Sequence, residues 1–281
     1  MSAWIETVRG TVPPWECDVT EHFTIAYYFD RIEQAAANLA DALGAGELLR
    51  AGALPRRFNV RFTRELRAAA SFHIESAPLD VDPARLRLGH RIVDSGNGEV
   101  VTWVEEQWDV PVPAAFVAAV APHLAAWEGP QAGTRPEPGA DARWVPTGHG
   151  RVRPADLDER QVFSLASFVH RFTDACIQAQ AAIGLDAQYM ETERRGYSTF
   201  ELALTVSGAL RCGDAFRAET TIAHLGSSSV RLVHRLCDVA TGSEIARLGQ
   251  FGVNLDLDAR RPAPLPEPIR ARAAALLAPA G

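Results

Sequence analysis

The sequence predicts an α+β protein made of two tandem copies of one unit, each a long helix wrapped by an antiparallel β-sheet. Two observations carry this. The first half reads, by periodicity, as one strand, one long amphipathic helix and then four consecutive strands, an order met most simply by one antiparallel sheet around one helix. The second half repeats landmarks of the first in the same order. With 281 residues the chain has room for two medium-sized units.

The first block of the repeat aligns without a gap. Gly10 to Ala35 lies over Gly150 to Ala175 at an offset of 140 (150 − 10). Gly10/Gly150, Val12/Val152, Pro14/Pro154, Asp18/Asp158, Phe23/Phe163, Ala26/Ala166, Arg31/Arg171 and Ala35/Ala175 are identical. Further along the offset becomes 144, with Leu86–Glu99 over Val230–Ser243 and Leu66-Arg67 over Leu210-Arg211 (210 − 66). Two fused copies are expected to pack as a pseudo-symmetric pair, by analogy with a twofold homodimer.

Each element has a local cause. Glu6 to Val12 alternates as a short strand interrupted by Gly10 and ended by Pro13-Pro14. From Thr24, a plausible N-cap, Ile25, Tyr28, Phe29, Ile32, Ala35, Ala36 and Leu39 form one apolar stripe at helical spacing, and Gly44 with Gly46 stops the helix. Strands are expected over Arg57–Leu66, Ser71–Leu79, Arg85–Asp94 and Val100–Val110, with Ser95-Gly96-Asn97-Gly98 a hairpin turn. These readings divide the chain into a first unit (1–112), a Gly/Pro-rich linker (113–142) with a short helical piece, a second unit (143–260) and a Pro-rich tail (261–281) ending in an Ala/Leu helix at best.

Composition narrows the function. A formal net charge of −7 argues against nucleic acid as a partner, yet leaves room for a local basic patch. The four cysteines, Cys17, Cys176, Cys212 and Cys237, have neither metal-ligand spacing nor a dense disulfide framework, so no metal and a reducing cytoplasm are expected. No apolar run is long enough to span a membrane.

The two copies also discriminate among residues. Where they agree, structure is the default cause; where a loop differs, function has room to survive on one side. Asp18 and Asp158 agree, whereas Glu21, His22 and Tyr28 become Gln161, Val162 and Phe168. His90 and His234, on the apolar face of equivalent strands, read as buried hydrogen-bonded histidines. Arg56, Arg57, Arg61 and Arg64 read either as a solvated strand face or as partners for phosphates, and Glu33 reads as a helix-face or core-edge residue.

Cys17, Asp18, His22, Ala26, Tyr28, Glu33 and Ala35 fall in register on a motif of roughly the form W-x-D-C-D-x-x-G-H-V-N-N-A-x-Y-x-x-x-F-E-x-A, with Trp15 one place nearer Asp18 than the motif's tryptophan. On these residues the chain resembles the hotdog-fold acyl-CoA thioesterases of the 4-hydroxybenzoyl-CoA thioesterase type, and two fused units resemble their double-hotdog members. The resemblance implies acyl-CoA hydrolysis to free acid and CoA, with Asp18 as carboxylate base or nucleophile and no cofactor beyond the CoA of the substrate. It also implies a site between the copies, completed by second-copy residues that the sequence does not identify. His22 would orient water or polarise the carbonyl, Tyr28 would line the acyl pocket, and Thr24 and Glu21 would bind substrate; Asp158 marks a possible second site. Free N–H groups from Phe23 to Ile25 at the helix start suit an oxyanion.

The motif is departed from at two places. Glu21 stands where the family has glycine, and either adds a carboxylate or points to solvent. Thr24 and Ile25 replace Asn-Asn, so Thr24 either restores some polarity or caps the helix. A binding protein for acyl-CoA or another acyl ligand, without turnover, is therefore the alternative; an enoyl-CoA hydratase is a weaker one, because its D-x-N-x-x-H segment is absent. A homo-oligomer of fused pairs is compatible with the sequence.

Overall fold

The structure, a computed structural model, describes residues 4–18, 21–47 and 54–277. Val19 and Thr20 of the first loop and the last four residues of the tail lie outside the described residues. The first half comprises β1 (Ile5–Thr11), α1 (Ile25–Ala42), β2 (Arg56–Phe62), β3 (Ser71–Asp82), β4 (Arg85–Asp94) and β5 (Val100–Trp108). After α2 (Ala114–Val120), the second half follows with β6 (Val145–Arg151), α3 (Leu165–Ile183), α4 (Ala187–Glu193), β7 (Arg195–Val206), β8 (Ala215–Leu225), β9 (Ser229–Asp238) and β10 (Glu244–Asp256). A short β11 (Arg261–Pro262) and α5 (Glu267–Leu277) end the described chain.

The eleven strands of the described residues form one sheet, ordered β1-β3-β4-β5-β2-β7-β10-β9-β8-β6, with β11 against β10. The halves join where β2 and β7 pair antiparallel, with Asn59 opposite Ala203. The separation of these two is the repeat offset itself (203 − 59 = 144), so the pseudo-twofold axis passes between them. The bulge in β1 at Glu6/Val8 returns in β6 at Pro146/Gly148, and that in β3 at Pro78/Asp80 returns in β8 at Ile222/His224. β1 runs unbroken through Gly10. That glycine and Gly150 recur for a packing reason: a Cβ there would stand 3.0 and 2.8 Å from the rings of Phe72 and Phe216.

α1 and α3 lie against one another and close the main core. The α1 stripe is buried as its spacing predicts, except that Ile25 is only half-buried. α2 packs beside the first-half core around Leu86, Leu88 and Trp108. The tail helix α5 is more than a fringe: Ile269 and Ala273 are buried with Ile222, Val230 and Ile183.

Both interior histidines are fully buried, and each bonds a hydroxyl through Nδ1 at 2.7 Å, His90 to Ser76 and His234 to Thr220. Burial pushes the His234 pKa down to about 3, so its ring is neutral at physiological pH. The arginines of β2 do not behave as one face. Arg57 pairs with Asp109 at the surface and Arg64 with Glu99, while Arg56 is fully buried against Glu106.

The halves differ in the interior at Trp108. Trp108, opposite Leu86, is fully buried; its counterpart opposite Val230 is Gly252 (252 − 108 = 144). Trp108→Ala is expected to cost about 3–5 kcal/mol, read as a lowered denaturation midpoint, because the cavity would sit in a packed core.

Candidate active site

The site begins with a turn fixed twice in the chain. In the first copy Glu21 donates its amide to the carbonyl of Asp18 at 3.0 Å, Asp18 donates its own to the carbonyl of His22 at 2.8 Å, and Asp18 Oδ1 accepts the amide of His22 at 3.1 Å. Asp158 accepts the amide of Val162 at 3.2 Å in the same way. The turn requires a positive φ at its fourth residue, and Glu21 (63°) and Gln161 (61°) both supply it. This is the left-handed region that glycine enters most cheaply. Glu21 is exposed and stands apart from the cavity lining.

Beyond the turn α1 starts unusually. Thr24 holds the N-cap position, but its side chain makes no capping bond. The amides of Phe23 and Thr24 are already used, by the carbonyls of Leu66 and Glu16 at 2.9 Å each, which corrects the expectation that they are free. Ile25 is the first helical residue, and the positive end of the helix dipole falls there.

Asp18, His22, Thr24, Ile25 and Tyr28 converge on a cavity of about 620 Å³. His22 Nε2 lies 3.0 Å from Glu65 Oε2 and 3.2 Å from Arg67 Nη2, and Glu65 is also paired with Arg260. Tyr28 is buried, with its hydroxyl taking the Leu66 amide at 3.4 Å and its ring edge-on to Phe62. Burial raises its pKa well above the usual phenol value, so it serves as a neutral wall. The sequence did not single out Glu65. Its counterpart is Ala209 (209 − 65 = 144), so the comparison that distinguishes His22 from Val162 would have found it.

Most of the cavity belongs to the second copy. Val169, Thr173, Cys176, Ile177, Gln180 and Ala181 of α3 form one wall, and Tyr197, Leu202, Leu248, Gln250 and Leu255 of the sheet form the other. Gly252 allows this: a Cβ there would meet the Tyr197 ring at 2.6 Å. The interior polar groups are neutral. Gln250 Nε2 donates to Thr199 at 2.7 Å, and Gln180 donates to the Cys176 sulfur at 2.9 Å. Burial pushes the Cys176 thiol up to about 12, which keeps it inert.

The mirror-related position around Asp158 is closed. The α3 start, Leu165, donates its amide to Glu33 Oε2 at 3.3 Å. Glu33 stands 3.6 Å from Arg56 and 3.8 Å from Arg160, and Arg160 also pairs with Asp158 at 2.6 Å. Behind them Glu106 accepts from Arg56 Nε at 2.8 Å. Burial works against the charge of Glu106, but Arg56 and the hydrogen bonds of His90 and Trp108 outweigh it and hold its pKa low. Three members have neutral counterparts on the open side. Glu33 corresponds to Thr173 (173 − 33 = 140) and Glu106 to Gln250 (250 − 106 = 144), and Arg56, opposite Trp108, corresponds through a bulge in β7 to Thr199, opposite Gly252. Charges fill the second position, and a cavity fills the first.

This architecture is that of a double hotdog, and the family model of the thioesterase-like superfamily matches residues 152–273, in the second half of the chain. Three solved structures share the fold over nearly the whole chain. A protein described as an oleoyl thioesterase from Lactobacillus plantarum is 16% identical, with a TM-score of 0.69 over 88% of this chain and 95% of that one. An acyl-ACP thioesterase from Bacteroides thetaiotaomicron is 10% identical (TM-score 0.68; 89% and 98%), and the 12:0-ACP thioesterase from Umbellularia californica is 14% identical (TM-score 0.64; 90% and 94%). No curated protein matches the chain by sequence. Among the described residues no helix is long and apolar enough to cross a membrane.

Glu33 generates a pH signature. Burial first, then Asp158, push its pKa from 4.5 up to about 7 against the pull of Arg56 and Arg160. Between those values the folded state holds a proton that the unfolded chain has released. Its contribution is therefore fully present below 4.5 and declines as pH rises to about 7. Glu33→Gln is expected to lose less stability than the unaltered protein across that window, measured as urea midpoints on either side of it.

Proposed function

We propose that the cavity at the start of α1 hydrolyses an acyl thioester, with coenzyme A as the thiol carrier. One observation carries this reading: the amide of Leu165 holds a carboxylate, whereas its counterpart, Ile25 (165 − 25 = 140), borders an open cavity beside Asp18 and His22. A helix start that binds an anion in one copy is suited to bind, in the other, the oxyanion that develops when a thioester carbonyl is attacked.

In this mechanism Asp18 takes a proton from water as the water oxygen bonds to the thioester carbon. The carbonyl electrons move onto oxygen, where the amide of Ile25 and the helix dipole stabilise them. When the carbonyl re-forms, the C–S bond breaks; the thiolate leaves and takes up the proton, giving a carboxylic acid and a thiol. His22, oriented by Glu65, holds the water or the carbonyl oxygen, and Thr24 adds a hydroxyl at the entrance. The uncharged interior of Thr173, Gln250, Tyr197 and Leu255 favours an aliphatic acyl group, because a buried charge would need a partner there. Arg64 and Arg195 also line the cavity and suit the phosphates of the carrier.

A panel of acyl-CoAs and acyl carrier proteins, followed by thiol release, tests the reading. Asp18→Ala is expected to lower hydrolysis at least about a hundredfold with the fold intact; full activity in that variant would sink the assignment. Asp158→Ala is expected to retain most activity and instead lose stability, because Arg160 is left with less compensation. Glu65→Gln is expected to cost less than Asp18→Ala and to shift the pH–rate profile, as suits a residue acting through His22. Binding without thiol release across the panel would favour a non-catalytic acyl-binding protein, a reading prompted by the missing Asn at Thr24.

A further inference from the structure

The cavity has a defined far end. Along α3 the lining positions begin at Val169, and the row from Thr173, the counterpart of the residue that touches the opposite helix start, runs on to Ala181. Eight residues at about 1.5 Å each make this row about 12 Å long. An extended chain advances about 1.2 Å per bond, so the row accommodates about ten bonds. α4 follows the C-terminal end of α3 and so lies at the end of the row farther from Thr173.

α4 is held in place at both ends. Asp186 caps it by accepting the amide of Tyr189 at 2.9 Å, and Arg194, with φ 53°, turns the chain into β7. The Tyr189 hydroxyl donates to Oδ1 of the buried Asn254 at 3.4 Å, and Asn254 in turn donates to the carbonyls of Ala263 and Pro264. Met190 is held differently. Its sulfur packs over Gly196, 3.6 Å from where a Cβ would stand, with Leu257 3.9 Å from the same point. An unbranched thioether against a strand position without a side chain can yield or be resized without disturbing hydrogen bonds.

We propose that α4 is the stop that limits acyl-chain length, with Met190 the residue set against the chain end. This rests on the thioester reading only for the identity of the ligand, and the test separates the two.

Saturated fatty acids from hexanoate to octadecanoate are titrated by displacement of cis-parinaric acid, and thiol release is followed separately on the matching acyl-CoAs. Affinity is expected to rise about fourfold per methylene while each added carbon is buried, then to level off at the length that reaches α4. Met190→Trp is expected to move that break to shorter chains and Met190→Ala to longer ones. Far-UV circular dichroism and thermal melting check folding. Met190 is only half-buried, so the alanine variant preserves the test if the tryptophan variant misfolds. A break at the same length in every folded variant, or no break in the unaltered protein, overturns the proposal. A break that moves with Met190 while no acyl-CoA releases thiol leaves the stop standing and defeats only the hydrolase reading.

Discussion

The contact between a helix start and an anion governs this molecule. Helix N-termini leave amides without partners inside the helix, and the aligned dipoles place positive potential there. The fold presents two such starts, related by a pseudo-twofold axis through Asn59 and Ala203. At one, Leu165 is satisfied by the chain's own Glu33; at the other, Ile25 faces a cavity with Asp18 and His22. A carboxylate against one helix start and a cavity at the other make two similar halves structurally unequal.

The inequality extends behind the helix starts. In the first half the interior carries Arg56, Glu106 and the Trp108 ring, and the ions are tolerated because they meet one another. In the second half Thr199, Gln250 and Gly252 occupy the same places, so no charge needs a partner and part of the volume is cavity. A cavity that is to receive an acyl chain benefits from both properties. The closed half then acts as the rigid partner that supports the open one through the β2–β7 seam and the packing of α1 on α3.

Much of this was legible in the residues. Strand alternation and the apolar stripe of α1 gave the element order, and β4 falls on Arg85–Asp94 as read. The repeat predicted paired halves, and the shared bulges and the paired φ values of Glu21 and Gln161 fit it. The convergence of Asp18, His22, Thr24 and Tyr28 on one cavity agrees with the stretch the motif marked. Glu21 is exposed, the second of the two placements its sequence position left open, and its φ of 63° is a feature that a side-chain pattern does not reveal. Glu33, read as a helix-face or core-edge residue, is a partly buried carboxylate whose partners come from β2, the second loop and the start of α3. Arg56 was grouped with surface arginines because alternation shows which residues share a face, not which face is covered.

The sequence alone determined the repeated unit, its helix and strands, and the residues that differ between copies, because these follow from local periodicity and from comparing the chain with itself. Only the tertiary structure decided which helix start is open, which second-copy side chains wall the cavity, and that Glu65 supports His22. Those facts depend on pairings across 40 to 140 residues, such as His22 with Glu65 and Glu33 with Leu165, which arise when the sheet closes at β2 and β7 and brings each helix to the start of the other.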